Sequence, residues 1–257
     1  MNIDDFICSP LQWPIASPYL LKESSELYSS KRSDLKIHQH IESISSRVHM
    51  CLEPVFFDPA MRTGWEEMGI VFLDKKNFDE EQYIEIVRRL FDILAKSSSL
   101  HSTVSAFAKY FHPLASNSIG YDTSLSDPEL PFSIFSTIPT LNEKDSVYRF
   151  TESIVHESLH LQLTAIEMNS PLFEYDKLKS DFYSPWKGEG RTEQGLLHAI
   201  YVFSNIKSMW EIVHDVTPCI YLENRINMIS KQLGDSLHIF ESKSLTTKGS
   251  ELLTKLL

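Results

Sequence analysis

Residues 151–160 read Thr-Glu-Ser-Ile-Val-His-Glu-Ser-Leu-His and contain His156, Glu157 and His160 in the spacing His-Glu-x-x-His. On an α-helix, side chains four residues apart lie one turn above each other, so both imidazoles can reach one metal ion. Glu157 projects about 100° around the helix axis from His156, close enough to handle a proton or to support a ligand. The stretch therefore predicts a metal site carried by a helix.

The flanking residues predict that this motif lies within a long helix. Asn142 and Asp145 are helix start signals, and Asn169, Ser170 and Pro171 are stop signals. Apolar residues recur at helical spacing between them: Val147, Phe150, Ile154, Leu161 and Ala165. We therefore expect the metal site to lie on a long central helix.

Composition and charge describe an acidic globular chain. Its 257 residues, 42% of them hydrophobic, are enough to bury a sizeable core. A net charge of -11 without a dense Lys and Arg cluster argues against a nucleic-acid partner and weakly favours a basic peptide. No apolar run approaches the length of a membrane span, and the first residues are acidic where a signal peptide would be basic. We expect a cytoplasmic protein that does not associate with membranes.

The cysteines support the same location. Cys8, Cys51 and Cys219 are odd in number and widely separated, with no Cys-x-x-Cys pair. This usage fits a reducing compartment and offers no zinc-ribbon or redox motif.

The remaining pattern predicts an α+β, mainly α-helical single domain with a few short strands. Residues 24–51 are expected to form a helix or helix pair, and residues 79–94 an amphipathic helix. Residues 116–131 are rich in Ser, Asp, Gly and Pro and are predicted to form a loop, whereas residues 132–138 are prone to form a strand.

We find no linker that would divide the chain, so residues 1–257 are expected to form one catalytic domain. Within it, residues 1–115 are expected to be a mainly helical N-terminal part. Residues 116–257 are then the part that holds the metal site.

A metal ion held by two histidines needs at least one further protein ligand. His198 is a candidate because it follows a Thr192 cap on a predicted apolar-faced helix. Glu189 and Glu193 compete with it, since zinc peptidases of the gluzincin kind take a third-ligand Glu from a later helix. Residues 161–167 contain neither a Gly nor a third His, so the metzincin extension is absent. All three candidates remain open on the spacing of residues alone.

Several motifs together resemble a known family. The His-Glu-Ser-Leu-His motif, Tyr183-Ser184-Pro185-Trp186, Arg191 and Gly-Leu-Leu-His-Ala at 195–199 resemble the His-Glu-x-x-His-type peptide β-hydroxylases. These are non-haem iron, 2-oxoglutarate-dependent oxygenases of unusual fold, often associated with ribosomally made, modified peptides. The resemblance is strongest over residues 132–203, and Leu-Thr-Thr-Lys-Gly at 245–249 is also similar. The first half of the chain carries no matching motif.

This resemblance implies a cofactor set and a partner. His156, His160 and His198 would hold Fe(II), and Arg191 would bind the cosubstrate 2-oxoglutarate. Dioxygen would supply the oxygen atom placed on a peptide residue, at Cβ. The peptide would be a ribosomally synthesised precursor.

The coordination chemistry is consistent with this ligand set. An octahedral ferrous ion must leave two positions for a chelating 2-oxo acid and one for dioxygen, so three protein ligands complete it. The planar guanidinium of Arg191 suits the distal carboxylate of 2-oxoglutarate better than a lysine would. Arg191 and His198 are seven residues apart and would return to nearly the same face if both were helical.

Glu157 is the catalytic candidate, and its expected role depends on the class of enzyme. In an iron oxygenase it would handle a proton or support a ligand. In the alternative, a zinc metallopeptidase with Glu189 or Glu193 as third ligand, it would deprotonate the zinc-bound water. A second alternative is a non-catalytic peptide-binding protein in which the motif is structural. Tyr183 and Trp186 are candidates for lining the substrate entrance, with ordinary packing as their other reading.

Overall fold

The computed structural model describes residues 41–45, 48–51, 59–73, 76, 78–115, 122–128, 132–143, 145–174, 180–236 and 244–256. This part of the chain is mostly helical with a few short strands, which confirms the expected α+β, mainly helical class. Within it, no helix combines the length and the apolar character needed to cross a membrane.

Seven helices and seven strands are described. The helices are α1 (Pro59–Glu67), α2 (Glu80–Leu94), α3 (Ser98–Phe107), α4 (Ser146–Asn169), α5 (Glu193–Val216), α6 (Ile220–Gly234) and α7 (Thr247–Leu256). The strands are β1 (Ile41–Ser45), β2 (Val48–Cys51), β3 (Tyr110–Leu114), β4 (Ser124–Leu125), β5 (Ser133–Thr137), β6 (Ser180–Ser184) and β7 (Glu189–Thr192).

The described residues form two compact units. The first comprises residues 41–95 and 101–161, and the second comprises residues 96–100 and 162–256. Helix α4 contributes residues to both units. This division describes packing alone, and the expectation of one catalytic domain over residues 1–257 stays a prediction.

The first unit contains a mixed five-stranded sheet in the order β1-β2-β3-β5-β4. Strands β2, β3 and β5 run parallel, whereas β1 and β4 are antiparallel to their neighbours. In β4, Ser124 lies opposite Ser136 and Leu125 lies opposite Phe135. Strand β4 is therefore an edge of the sheet as far as the described residues extend.

An aromatic cluster holds this sheet against α1. Trp65 contacts Phe135 with ring centroids 5.0 Å apart, and Leu114 completes the buried group. Ile70, Phe72 and Leu125 pack around it. Because Leu125 points into this cluster, Ser124 of β4 and Ser126, which follows the strand, point to the opposite side.

In the second unit, α5 packs against α6 and α7 and against the β6–β7 hairpin. Its buried positions go almost all the way round the helix, which is typical of a helix enclosed by neighbours. They include Leu196, Leu197, Ile200, Tyr201, Val202, Ile206 and Trp210. Helix α5 is therefore the central helix of this unit.

The prediction of a helix over residues 24–51 was wrong where the structure describes that range. Ile41–Ser45 and Val48–Cys51 form an antiparallel pair with an irregularity between Ser43 and Ser45. Ile41, Ile44 and Val48 have helical spacing, but β-branched residues in so short a run also suit a strand. The rest of this predicted helix, residues 24–40 and 46–47, lies outside the described residues.

The loop predicted for residues 116–131 contains β4, which the turn-rich composition concealed. Other elements were predicted correctly from local signals. Asp79 caps α2 by accepting a hydrogen bond from Gln82 N at 2.9 Å, and Thr192 caps α5 by accepting from Gly195 N at 3.1 Å. Helix α4 starts and stops where the sequence signals lie, and β5 falls within the predicted strand.

Candidate metal centre

His156 and His160 lie together on α4. Their Nε2 atoms are 3.1 Å apart, and the ring centroids are 4.7 Å apart. Both side chains are half-buried. Two nitrogens that each lie about 2.0–2.1 Å from one metal ion would be separated by about 2.8–3.4 Å between octahedral and tetrahedral angles. The pair therefore fits two ligands of one metal ion.

Glu157 is buried, with 5% of its surface exposed, and both of its carboxylate oxygens are engaged. Ser124 Oγ donates to Oε1 at 2.8 Å, and Ser126 Oγ donates to Oε2 at 2.7 Å. The two serines are two residues apart, at the start of β4 and directly after it, so both point to the same side and reach the same carboxylate. Glu157 thus attaches β4 to the turn of α4 that carries the histidine pair.

A second connection between α4 and the segment that contains β4 lies two turns earlier on the helix. Arg149 Nε donates to Asp122 Oδ2 at 2.6 Å, and its Nη2 donates to Glu143 Oε2 at 2.6 Å. The hydrogen bond from Arg149 is the main cause that lowers the pKa of Glu143 below its ordinary value. Since Asp122 lies just before β4, Arg149 and Glu157 hold the same segment at two points.

His198 lies on α5 in the second unit, beside Glu167 of α4. Its Nε2 is 3.0 Å from Glu167 Oε2. Gln194, one turn earlier on α5, donates from Nε2 to the same carboxylate, at 3.2 Å to Oε2. The structure thus brings His156 to His160, and His198 to a carboxylate that the sequence reading had not singled out.

A further polar contact joins the same two helices within the second unit. Tyr201 Oη donates to Gln162 Oε1 at 2.8 Å, and burial raises the pKa of Tyr201 well above its ordinary value. Gln194, His198 and Tyr201 follow each other at spacings of four and three residues, so they share one face of α5.

Arg191 lies on β7, opposite Phe182 of β6, and is half-buried. Because α5 begins at Glu193, Arg191 lies outside the helix, and the argument that placed it on the helical face of His198 was wrong. The Thr192 cap ends the strand and begins the helix. Among the described residues, the guanidinium of Arg191 has neither an ion pair nor a side-chain hydrogen bond.

Tyr183 and Trp186 belong to the β6–β7 hairpin. Tyr183 is 54% exposed, whereas Trp186 stacks on Phe203 with ring centroids 5.0 Å apart and planes 5° apart. The guanidinium of Arg225 lies 5.6 Å from the centroid of the same Phe203 ring. The structure therefore places Tyr183 in contact with solvent and Trp186 in an aromatic stack.

The carboxylates proposed as zinc ligands have different surroundings. Glu189 is exposed on β7. Glu193 is fully buried at the first position of α5, and its Oε2 accepts a hydrogen bond from Ser244 Oγ.

The 245–249 element packs against the chain that follows α4. Thr246 N donates to Leu172 O at 3.0 Å, and Thr246 Oγ1 donates to Pro171 O at 2.9 Å. Gly249 passes so close to Leu172 that an added Cβ would collide with the backbone oxygen of Leu172. This part of the family resemblance therefore corresponds to a tight backbone contact in the second unit.

Three residues that contact the candidate site residues were not predicted from the sequence. Ser124 and Ser126 lie in a stretch read as a loop, and only their contact with Glu157 reveals a role. Glu167 follows His160 by seven residues, so a helical wheel could have placed it on the same face of α4.

Across the described residues, no group of three or more His, Cys, Asp or Glu side chains is arranged to hold a metal ion. The three-histidine site thus stays a prediction. A scan against protein-family models finds no match, and a search of curated proteins also finds none.

Proposed function

We propose that the protein is an Fe(II)- and 2-oxoglutarate-dependent oxygenase that hydroxylates a peptide residue at Cβ. The observation that carries this proposal is the histidine pair on α4, with its Nε2 atoms 3.1 Å apart. When bound, Fe(II) with 2-oxoglutarate and dioxygen would supply the oxidising chemistry. The chain's own residues would bind, orient and exclude water.

The proposed ligands are His156, His160 and His198. The motif resemblance supports this set, and three protein ligands leave the positions that a 2-oxo acid and dioxygen require. Arg191 is the proposed partner of the distal carboxylate of 2-oxoglutarate. Its lack of an ion pair among the described residues supports this role, because an anion can then approach without displacing a carboxylate.

In this proposal Glu157 is a supporting group, whereas in the alternative, a zinc peptidase, it would be the general base. A general base needs to reach the proton that it removes, at about hydrogen-bond distance. Both oxygens of Glu157 already accept hydrogen bonds from serines. We propose that Glu157 acts by holding β4 beside the ligand-bearing turn of α4.

A peptide is the proposed substrate, and β4 supports that choice. In the described part of the sheet β4 is an edge strand, and such an edge offers backbone donors and acceptors to an extended peptide. Ser124 of β4 contacts Glu157, the neighbour of His156. The family resemblance supports a ribosomally synthesised precursor as this peptide, with exposed Tyr183 as a candidate contact.

The cysteine usage supports a cytoplasmic, reducing location for this chemistry. Cys219 is a free thiol in the described part of the chain. Fe(II) is retained more readily under reducing conditions, which are typical of that compartment.

The test is anaerobic reconstitution with Fe(II), followed by metal analysis and a succinate assay with 2-oxoglutarate and air. We expect one bound iron and succinate formation, and loss of iron binding in His156→Ala, His160→Ala and His198→Ala. His214→Ala, at the exposed end of α5, is the matched control and should retain iron.

Two results would reject the proposal. One is zinc-dependent peptide cleavage without 2-oxoglutarate turnover, which would establish the peptidase. The other is absence of bound metal after reconstitution, which would favour the non-catalytic peptide-binding protein.

A further inference from the structure

The register of β4 determines which of its backbone groups face away from the sheet. Thr137 N donates to Thr123 O at 2.9 Å, so these two opposite residues are bonded to each other. In an antiparallel pair of strands, hydrogen-bonded and non-hydrogen-bonded pairs of residues alternate. The next pair, Ser124 and Ser136, is therefore of the second kind. The backbone N–H and C=O of Ser124 thus point away from β5, to the outer side of the described sheet.

Side-chain contacts before, at and after Ser124 hold this outer edge in place. Asp122, just before the strand, accepts a hydrogen bond from Arg149. Ser124 and Ser126 both donate to the carboxylate of Glu157. All of these contacts join the segment to α4 within the first unit. Because the edge is already held in one conformation, less chain has to be ordered when a partner strand binds to it.

The surroundings of β4 favour a basic partner in an extended conformation. Ser124 is half-buried, so part of it is accessible to a ligand. Asp122 precedes the strand, Asp127 follows it, and the chain carries a net charge of -11. A second copy of this chain is disfavoured as the partner, because surfaces of the same sign repel each other. A positively charged peptide meets the opposite sign and is attracted to it.

We propose that a basic, extended peptide binds to β4 as an added strand, with its backbone paired to the N–H and C=O of Ser124. This inference rests on the proposed function, in which a peptide is the substrate, and it names the backbone groups that hold that peptide. Directly opposite residues of neighbouring strands project their side chains to the same face. The peptide residue opposite Ser124 therefore projects towards α4, the helix that carries His156 and His160.

The first test measures peptide binding without a metal. The probe is a fluorescein-labelled peptide of four Lys-Val repeats, which is basic and has the alternation of an extended strand. Fluorescence anisotropy should show saturable binding to the wild type that weakens as salt is added. A peptide of four Glu-Val repeats should bind more weakly, because its charge has the same sign as the protein. Absence of saturable binding of the Lys-Val peptide would overturn the inference, and so would equal binding of the two peptides.

The second test separates the backbone of Ser124 from its hydroxyl group. Ser124→Pro removes the outward N–H, and proline is tolerated on an edge strand where that group faces away from the sheet. Loss of one such hydrogen bond should weaken binding of the Lys-Val peptide about 2–10-fold. Ser124→Ala loses the contact with Glu157 but keeps the N–H, so it should bind the peptide more tightly than Ser124→Pro. Equal binding by the two variants, both shown to be folded by circular dichroism, would reject the pairing.

Hydrogen exchange of the wild type gives a third measurement that needs no variant. The amide of Ser124 should exchange quickly in the free protein and slowly when the protein is saturated with the Lys-Val peptide. The amide of Leu125 should exchange slowly in both states, because Leu125 and Phe135 form a hydrogen-bonded pair. A Ser124 amide whose exchange rate does not change on saturation would contradict the proposed pairing.

The outcomes separate this inference from the proposed function. If the peptide binds and protects the Ser124 amide but the reconstituted protein forms no succinate, the pairing is supported and the oxygenase is rejected. If the protein binds iron and forms succinate while a folded Ser124→Pro binds the peptide as tightly as the wild type, only the pairing is rejected.

Discussion

Glu157 is a buried carboxylate that joins a helix to an edge strand through two hydroxyl groups. The chain separates it from Ser124 and Ser126 by about thirty residues, and no local pattern reports such a contact. The motif around Glu157 was readable from sequence because helical spacing alone brings His156 to His160. The partners of Glu157 were not readable, since they depend on how the chain returns to α4.

The contact between Glu157 and Ser126 should be measurable as a coupling energy. We expect Glu157→Ala, Ser126→Ala and the double variant to be non-additive by about 0.5–3 kcal/mol in the free energy of unfolding, since the residues share a hydrogen bond. Chemical denaturation of the four proteins gives this value. Additivity within about 0.5 kcal/mol would show that the contact does not contribute to stability.

The contact of Glu167 with His198 could not be predicted from the sequence. Glu167 and His198 are separated by 31 residues and meet only because α4 and α5 pack together. Sequence spacing suggested His198 as a ligand, but it gave no reason to join it to a carboxylate. Tertiary packing supplied that information.

At the scale of elements, local signals predicted the helices better than the strands. Asp79 and Thr192 lie at helix starts, and each accepts the hydrogen bond expected of a cap. Strands β1, β2 and β4 were missed because pairing with distant residues, rather than local propensity, defines short strands. Residues 41–51 show this, since their apolar spacing suited a helix and their β-branched residues suited a strand.

Helix α7 depends on a close backbone approach at Gly249. Gly249→Ala should lower the free energy of unfolding by about 1–3 kcal/mol, because the new methyl group meets the backbone oxygen of Leu172. Thermal or urea unfolding measures the change. Gly234→Ala is the matched control, since an added Cβ there meets no atom within 4 Å. It should not lower the free energy of unfolding.

An equal effect at both glycines would contradict this account of α7. The expected difference arises from packing, because both positions lie in helices where alanine is otherwise preferred. A stabilised Gly249→Ala variant would mean that α7 does not lie against the segment after α4.

At the scale of the whole molecule, the free energy of unfolding should depend on pH through the contact between Arg149 and Glu143. This hydrogen bond is the main cause of the lowered pKa of Glu143. A carboxyl whose pKa is lowered by folding contributes stability that is complete above its unfolded pKa, about 4.3, and that is lost as pH falls through the folded value. Arg149→Met should therefore destabilise the protein most near neutral pH.

Urea unfolding of the wild type and Arg149→Met over a series of pH values measures this effect. The difference in unfolding free energy should shrink as the pH falls below about 4.3, because protonated Glu143 no longer pairs with Arg149. Lys207→Met, which breaks the more exposed pair with Glu211, should change stability by less than about 1 kcal/mol at neutral pH. A constant difference for Arg149→Met at all pH values would contradict the assigned cause.

The α+β, mainly helical class of the molecule followed from composition and periodicity. The mixed sheet and its strand order did not, because parallel pairing of β3 with β5 joins segments that the sequence leaves far apart. The function is a proposal built on a motif, a resemblance and the geometry of a few side chains. Its central claim is that the protein holds Fe(II) and 2-oxoglutarate together.

That claim is tested most directly by titrating the anaerobic Fe(II) protein with 2-oxoglutarate and following the visible charge-transfer band of an Fe(II)–2-oxo acid chelate. The account predicts a band that saturates at one 2-oxoglutarate per protein, is absent from His156→Ala, and needs a higher 2-oxoglutarate concentration in Arg191→Gln. No band from an iron-loaded wild type would contradict it.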